Sequence, residues 1–233
     1  MIERITRYNL NELTEEYGFS FKNTQGLDDS IFLDMEHYIY RKPIALGIFG
    51  AAVREGDELV CTQYFLENRK DLKGLVKTSY NYLKEKQKAG YSQLVAFAAK
   101  NDLNVLHTMF RKYWLKSDLR EEFKVVDLQS EFKKAYSETI SLEALEDFTE
   151  IHRQGPSISG STIAKTFANI VGDADYIHRM PKEKMVRLLD YNRMDVVNLF
   201  FIMANWDKIS LEAVNGFKES RRNRRRTKME DLD

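Results

Sequence analysis

The sequence predicts an α/β protein, built on a mixed sheet that helices flank and ending in a helical C-terminal half. Short apolar runs separated by polar breaks occupy the first half of the chain, and apolar residues recur at helical spacing in most of the second half. The chain has 233 residues, of which 43% are hydrophobic and 12% aromatic. It can therefore bury the core of one domain of ordinary size.

Three consecutive apolar runs predict a meander of three strands. They are Ser30–Asp34, Ile44–Gly50 and Leu59–Phe65. Gly56 and Asp57 lie in the break between the last two runs and are typical of a hairpin turn. Two later runs, Leu94–Ala98 and Val125–Leu128, each follow a segment with helical periodicity. Strands that alternate with helices favour parallel pairing, so these two runs complete a mixed sheet.

Helices are predicted where apolar residues recur every three or four positions. The predicted segments are 68–88, 103–113, 141–148, 161–171, 182–189 and 195–206. Ser141 and Ser161 are expected to be N-caps. Because no internal repeat or low-complexity linker interrupts the chain, we expect one domain over residues 29–206. Residues 1–28 are interpreted as an N-terminal extension, and 207–233 as the end of the last helix and a basic tail.

The charge is balanced overall, with 36 basic and 36 acidic side chains, but it is uneven near the C-terminus. Five arginines stand close together there. They are Arg221, Arg222, Arg224, Arg225 and Arg226. Two interpretations of this basic block are open. It is either a solvated, flexible end of the chain or a segment that binds phosphates through salt-sensitive contacts.

The sequence does not predict a secreted or membrane protein. Its N-terminal segment carries charges in every turn and lacks the apolar core of a signal peptide. No uninterrupted apolar run reaches the roughly 18 residues of a transmembrane helix. Cys61 is the only cysteine, so an internal disulfide is impossible, and a reducing, cytoplasmic location is expected.

Four carboxylates stand where predicted strands end or predicted helices begin. Asp34 and Glu36 are two residues apart on the first strand, so both side chains face the same side. Asp102 follows the fourth strand, and Asp195 opens the last helix. Converging acids repel one another unless a cation compensates them, and oxygen ligands without cysteine or histidine favour Mg²⁺ or Mn²⁺. The sequence therefore predicts two divalent metals, which can cleave a phosphodiester.

Three segments resemble the motifs of the DEDD, or DnaQ-like, 3′→5′ exonucleases. IFLDME contains Asp34 and Glu36, and the stretch from LVAF to NDLNVL contains Asp102. YNRMDVVNL is similar to the third motif in its tyrosine form, with Tyr191 four residues before Asp195. Together with the earlier stretches SLEALE and ISG, this motif resembles the YprB-like RNase H-like domain of bacterial proteins.

The resemblance implies an RNase H-like fold and a two-metal 3′→5′ exonuclease that acts on single-stranded ends of DNA or RNA. It implies that Asp34 bridges both metals, that Glu36 and Asp195 hold the catalytic metal, and that Asp102 serves the second. Tyr191 is expected to position the attacking water, because a phenol with an ordinary pKa of about 10 is a poor base.

Two segments depart from the family pattern. HYI follows Glu36 where the family usually has TTG, and AAKND ends in Asp102 where the family usually has NGxxFD. Because both loops contact substrate in relatives, nucleotide binding is expected to differ. The candidate nucleic-acid contacts next to the ligands are Met35, His37, Asn101 and Asn192.

Several alternatives remain open at this level. Asp127 is either a fifth acid of the site or a cap for the next turn, and His37 is either a substrate or metal contact or an ordinary loop histidine. The exonuclease has two competitors. One is a structure-selective endonuclease of the same fold, and the other is a catalytically inactive module that binds nucleic acid or an assembly partner.

Overall fold

One sheet organises the protein. The computed structural model describes residues 1–17, 26–153 and 158–230, with the backbone alone at 14–17 and 222–230. Its strands are β1 (Ile2–Asn9), β2 (Ser30–Tyr40), β3 (Lys42–Glu55), β4 (Glu58–Phe65), β5 (Gln93–Ala96) and β6 (Lys124–Asp127). They form a six-stranded sheet in the order β1-β4-β3-β2-β5-β6. The first four strands pair antiparallel with one another where they are neighbours in the sheet, and β5 and β6 continue the sheet parallel to β2. The predicted mixed sheet is confirmed.

Helices cover both faces of this sheet, and the C-terminal half is helical as predicted. The first five are α1 (Leu10–Tyr17), α2 (Leu72–Lys88), α3 (Lys100–Lys112), α4 (Leu119–Glu122) and α5 (Leu128–Tyr136). The others are α6 (Leu142–Phe148), α7 (Gly160–Gly172), α8 (Tyr176–Arg179), α9 (Lys182–Ala204) and α10 (Leu211–Glu230). None of the described helices combines the length and the apolar character needed to cross a membrane.

Alternation along β2 distributes its side chains between two core layers. Ile31 and Leu33 pack in the layer that includes α2 and α3, whereas Phe32 packs against α9. The rings of Phe32 and Phe200 meet edge to face, with centroids 5.4 Å apart. Burying a side chain of this size contributes about 1.5–3 kcal/mol. Because strand side chains alternate, Asp34 follows Phe32 onto the face that α9 covers.

The structure adds a strand that the sequence interpretation missed. β1 lies at the edge of the sheet beside β4, within the segment interpreted as an N-terminal extension. Its inward positions include Arg4 and Tyr8, and Ile5 points outward with 54% exposure. Arg4 pairs with Asp190 at 2.8 Å, and Tyr8 accepts a hydrogen bond from Arg193 at 2.6 Å. Polar contacts with α9 anchor the inward face of β1. Because its inward residues are not all apolar, the strand lacks the alternation of apolar and polar residues that identifies a strand in a sequence.

Two predicted boundaries are wrong. β2 continues to Tyr40 and turns at Arg41 directly into β3, so Asp34 and Glu36 lie inside a strand and a hairpin replaces the expected loop after Glu36. The predicted helices at 182–189 and 195–206 are one 23-residue helix, α9. The polar residues between them interrupt the apolar pattern but contain no glycine or proline that would end a helix.

Capping and the C-terminus were predicted in part. Ser141 caps α6, but the cap of α7 is Ser159 rather than Ser161, because Ser159 Oγ accepts from the backbone N–H of Thr162. The basic block lies in α10, which argues against an irregular end, and Arg221 donates to Glu138 Oε1 at 2.7 Å. The side chains of Arg222, Arg224, Arg225 and Arg226 lie outside the described residues.

Candidate active site

Three of the predicted acids converge between the sheet and α9. β2 supplies Asp34 and Glu36, and α9 supplies Asp195 from its middle. One carboxylate oxygen from each lies within 4.8 Å of the others, and we call these three residues the acidic cluster. An all-oxygen donor set at this spacing fits a hard divalent cation. Asp102 is not part of this group among the described residues.

A buried amide fixes Asp34 in the cluster. Asn192 Nδ2 donates to Asp34 Oδ2 at 2.8 Å, and Gln63 Nε2 donates to Asn192 Oδ1 at 2.7 Å. The backbone partner of Asp34 across the hairpin is Gly50, and a Cβ there would lie 2.2 Å from Asn192 Oδ1. Gly50 is therefore required for space, since any larger residue would displace the amide. Asn192 is fully buried and positions Asp34, so it has no surface for the nucleic-acid contact that the sequence suggested.

Burial and mutual repulsion make the acidic cluster hold protons. Burial, followed by the charges of Asp195, Glu36 and Asp102, raises the pKa of Asp34 well above its ordinary range. Burial and the charges of Asp195 and Asp102 raise the pKa of Glu36 to about 8. The pKa of Asp195 rises to about 7, mainly through burial. A bound cation favours the deprotonated carboxylates, so metal binding at this site is coupled to proton release.

An arginine that the sequence analysis did not single out contacts the cluster. Arg153 Nη2 lies 2.5 Å from Asp195 Oδ1. Glu146, which is 1% exposed, accepts from Arg153 Nε at 3.0 Å and from Nη2 at 2.7 Å, and also from Asn198 at 2.8 Å. Arg153 is therefore an internal cation: Glu146 holds its guanidinium, and Asp195 is the acid that the guanidinium contacts in the cluster. The signal that could have identified it is Glu146, since a buried acid requires a partner.

Asp102 lies beside the cluster and has its own partners. It is 8% exposed in the first turn of α3, and its Oδ1 is 3.6 Å from His37 Nε2. Burial raises the pKa of Asp102, and His37 opposes that rise. Asp127 caps α5 and also accepts from the backbone N–H of Ala98 at 3.0 Å, so its role as a cap is the one observed. Through Ala98, Asp127 orders the segment that leads to Asp102.

Tyr191 packs beside the internal cation. Its ring lies 5.4 Å from the Arg153 guanidinium carbon, one helical turn from Asp195. Burial and the neighbouring charge of Asp195 raise the pKa of its phenol, so the hydroxyl keeps its proton at neutral pH. Tyr191 is therefore available as a hydrogen-bond donor at this site, and its expected role in positioning the attacking water stays a prediction.

The remaining predicted contacts divide between core and surface. Met35 is 5% exposed and packs in the core on the opposite face of β2 from the acidic cluster, so it offers no surface to nucleic acid. His37 is partly buried against Asp102, whereas Asn101 is exposed at the start of α3. Of these, His37 and Asn101 have surface available for a ligand at the cluster.

Comparison with known families finds a match over most of the chain. Residues 31–207 match the family model RNase_H_2, described as the RNase_H superfamily. The matched segment begins with β2 and ends after α9, so it contains the whole acidic cluster and Arg153. A search of curated proteins finds no match.

Proposed function

Since the chain belongs to the RNase H superfamily, we propose that it is a metal-dependent 3′→5′ exonuclease that hydrolyses single-stranded ends of DNA or RNA. The observation that carries the proposal is the convergence of Asp34, Glu36 and Asp195 within 4.8 Å. These acids resemble those of the tyrosine type of DEDD exonuclease in kind and order. Their oxygen ligands suit Mg²⁺ or Mn²⁺.

In this proposal, the acidic cluster holds the catalytic ion, and Asp34 with Asp102 serves a second. When bound, the ions supply an activated water and charge stabilisation for the leaving oxygen. Asn192 keeps Asp34 in place through its hydrogen bond of 2.8 Å. Tyr191 keeps its proton and orients the water or a phosphate oxygen by donating to it.

Arg153 has a separate part in the proposed reaction. Its Nη1 is buried and has no hydrogen-bond partner among the residues that the structure describes. An Nη1 donor beside the acidic cluster is suited to a phosphate oxygen, because guanidinium and phosphate match in charge and geometry. Glu146 keeps the guanidinium oriented whether or not Asp195 is engaged elsewhere.

The assay uses a single-stranded oligonucleotide labelled at its 5′ or 3′ end, with Mn²⁺, Mg²⁺ or EDTA. Stepwise shortening from the 3′ end, abolished by EDTA, is the expected result. Asp195→Asn should remove it, and Asp207→Asn, the same substitution at an exposed position, should not. Internal products would support a structure-selective endonuclease instead. Absence of any metal-dependent cleavage would overturn the proposal that the protein is an enzyme.

One observation favours a second candidate, an inactive module that binds nucleic acid. Arg153 contacts Asp195 at 2.5 Å, so the protein carries its own cation at one of the three proposed ligands. If the internal cation replaces the metal permanently, the purified protein should bind oligonucleotides without binding Mn²⁺. Calorimetric titration with Mn²⁺ distinguishes the two candidates independently of cleavage.

A further inference from the structure

An exposed tryptophan follows the helix that carries Asp102. Trp114 is 91% exposed and comes two residues after the end of α3. Its φ is +61°, and the N–H of the next residue, Leu115, donates to Phe110 O at 2.9 Å. This is the helix-terminating position where glycine is usual, because a side chain is strained there. The chain thus places one of its two tryptophans in a strained conformation without burying it.

Cations surround this indole. An open depression of about 650 Å³ lies beside it and contains no acidic residue. Its lining consists of Thr108, Arg111, Lys112, Trp114, Leu115, Lys116 and Ser117. In the described parts of the chain no acid pairs with Arg111, Lys112 or Lys116, and Lys112 Nζ lies 5.4 Å from the ring centroid of its neighbour Tyr113. The combination of one exposed aromatic face with three cations that no acid neutralises matches a ligand that has both planar rings and negative charges.

The backbone under the tryptophan is fixed. Tyr80 Oη donates to Lys116 O at 3.1 Å, and Ser117 Oγ donates to Glu122 Oε2 at 2.6 Å. Leu115 packs against the core on the other side of the segment. The indole is therefore presented on a rigid support, which lowers the entropic cost of binding a ligand.

α3 connects this surface with the acidic site. Trp114 is twelve positions beyond Asp102, which corresponds to about 18 Å along the helix at 1.5 Å per residue. The exposed positions of the helix recur at intervals of three and four and share one face. They are Lys100, Asn101, Asn104, Thr108, Arg111 and Lys112. None is acidic, so a polyanion can follow this face without meeting a like charge.

We propose that Trp114, Arg111, Lys112 and Lys116, which we call the tryptophan platform, bind single-stranded nucleic acid. The indole stacks on an unpaired base, and the three cations contact the flanking phosphates. A duplex does not fit, because its bases are stacked on one another and present only their edges. The platform would hold the strand whose end lies at the acidic cluster, and in this respect the inference depends on the proposed function.

Tryptophan fluorescence tests the platform without catalysis. The chain has two tryptophans, so a Trp206→Phe background isolates the signal of Trp114. Titration with a twelve-residue oligothymidylate in EDTA should quench that signal. Trp114→Ala should weaken binding about 5- to 150-fold, the range of base–aromatic stacking, whereas Trp114→Phe should retain most of the affinity. Lys112→Ala should reduce the salt dependence, with a slope smaller by about 0.7.

A glycine variant separates binding from folding. Trp114→Gly relieves the backbone strain, so it should raise the unfolding temperature by about 2–4 °C. The same variant should lose affinity for the oligonucleotide as Trp114→Ala does. Lower affinity in a more stable protein cannot be caused by misfolding.

The outcomes keep the platform and the proposed function distinguishable. Quenching without metal-dependent cleavage would support the platform and contradict the exonuclease. Cleavage without quenching, or equal oligonucleotide affinity in Trp114→Ala and the parent, would overturn the platform and leave the exonuclease intact. Equal quenching by polyglutamate would also overturn it, because a surface that ignores bases binds acidic protein instead.

Discussion

The two sides of the acidic cluster neutralise their charge in different ways. On β2, Asp34 has a fixed neutral partner in Asn192, and both Asp34 and Glu36 have raised pKa values. On α9, Asp195 has a full positive charge beside it, since Arg153 Nη2 is 2.5 Å away. The strand side therefore depends on protons for neutralisation, whereas on the helix side Asp195, whose pKa is also raised to about 7, has a counter-ion as well.

This difference determines what a divalent ion must displace. At the strand side the ion competes with protons, so its binding depends on pH. At the helix side it competes with a guanidinium that Glu146 anchors through two hydrogen bonds. Removing an acid should accordingly have opposite consequences for stability on the two sides, because one side loses a repulsion and the other loses an attraction.

Removal of Glu146 should have the largest effect on stability. Glu146→Ala leaves the Arg153 charge buried without its anchor, and breaking such a pair costs about 3–5 kcal/mol. Chemical denaturation measures the loss. Glu143→Ala is the matched control on α6, since Glu143 is exposed, and should change stability by less than about 0.5 kcal/mol. Equal effects of the two variants would show that the Arg153 pair does not hold the helix side together.

Removal of charge on the strand side should affect activity and leave folding intact. Asp34→Asn keeps the shape and an acceptor for Asn192 but removes one negative charge from the cluster. We expect cleavage to fall more than about a hundredfold, the scale for losing one group that stabilises transition-state charge. The unfolding temperature should stay unchanged or rise. Asp57→Asn, at an exposed turn, is the control. If the Asp34→Asn protein is stable and cleaves like wild type, Asp34 is not part of the active site.

Local sequence was sufficient for the strand side. Alternation along one strand places Asp34 and Glu36 on the same face, and the runs that form β3, β4, β5 and β6 are recognisable from their own residues. The positions of Asp34 and Glu36 could therefore be predicted from the sequence, whereas the length of the β2–β3 hairpin could not. His37 continues the strand because β3 pairs with it, and that pairing depends on residues further along the chain.

The helix side depended on contacts between distant residues. Arg153 lies 42 positions before Asp195, and no periodicity connects them. Asn192 acquires its role only because Gly50 leaves room across the sheet. Similarly, β1 was missed because its inward Arg4 is paired with Asp190 on α9. Burial of a charged residue becomes interpretable only when its partner is known.

A charge-neutral exchange should sharpen the contrast in metal binding. Arg153→Met combined with Glu146→Gln removes the internal cation together with its anchor, so the net charge of the site is unchanged and Asp195 is left without a guanidinium partner. Without a competing guanidinium at Asp195, Mn²⁺ should bind about tenfold more tightly, as expected for removal of a nearby positive charge. Calorimetric titration of the variant and the wild type with Mn²⁺ at the same pH measures this difference in affinity. Unchanged or weaker affinity would show that Arg153 does not compete for Asp195.

Taken per pH unit, the smallest expected effect is the pH dependence of stability in EDTA. Glu36 has a folded pKa of about 8, above its ordinary value near 4.5, so the folded state binds its proton more tightly than the unfolded state does. The stability this provides is fully present at low pH and is lost as pH rises from about 4.5 to 8. The free energy of unfolding should fall across this window, by at most about 1.4 kcal/mol per pH unit for one group. Glu36→Gln should make the fall shallower without abolishing it, because Asp34 and Asp195 also have raised pKa values, and Mn²⁺ should oppose the fall at high pH. Stability that rises with pH in this range would contradict the assignment of retained protons to the strand side, because the sign of the slope reports which state binds them.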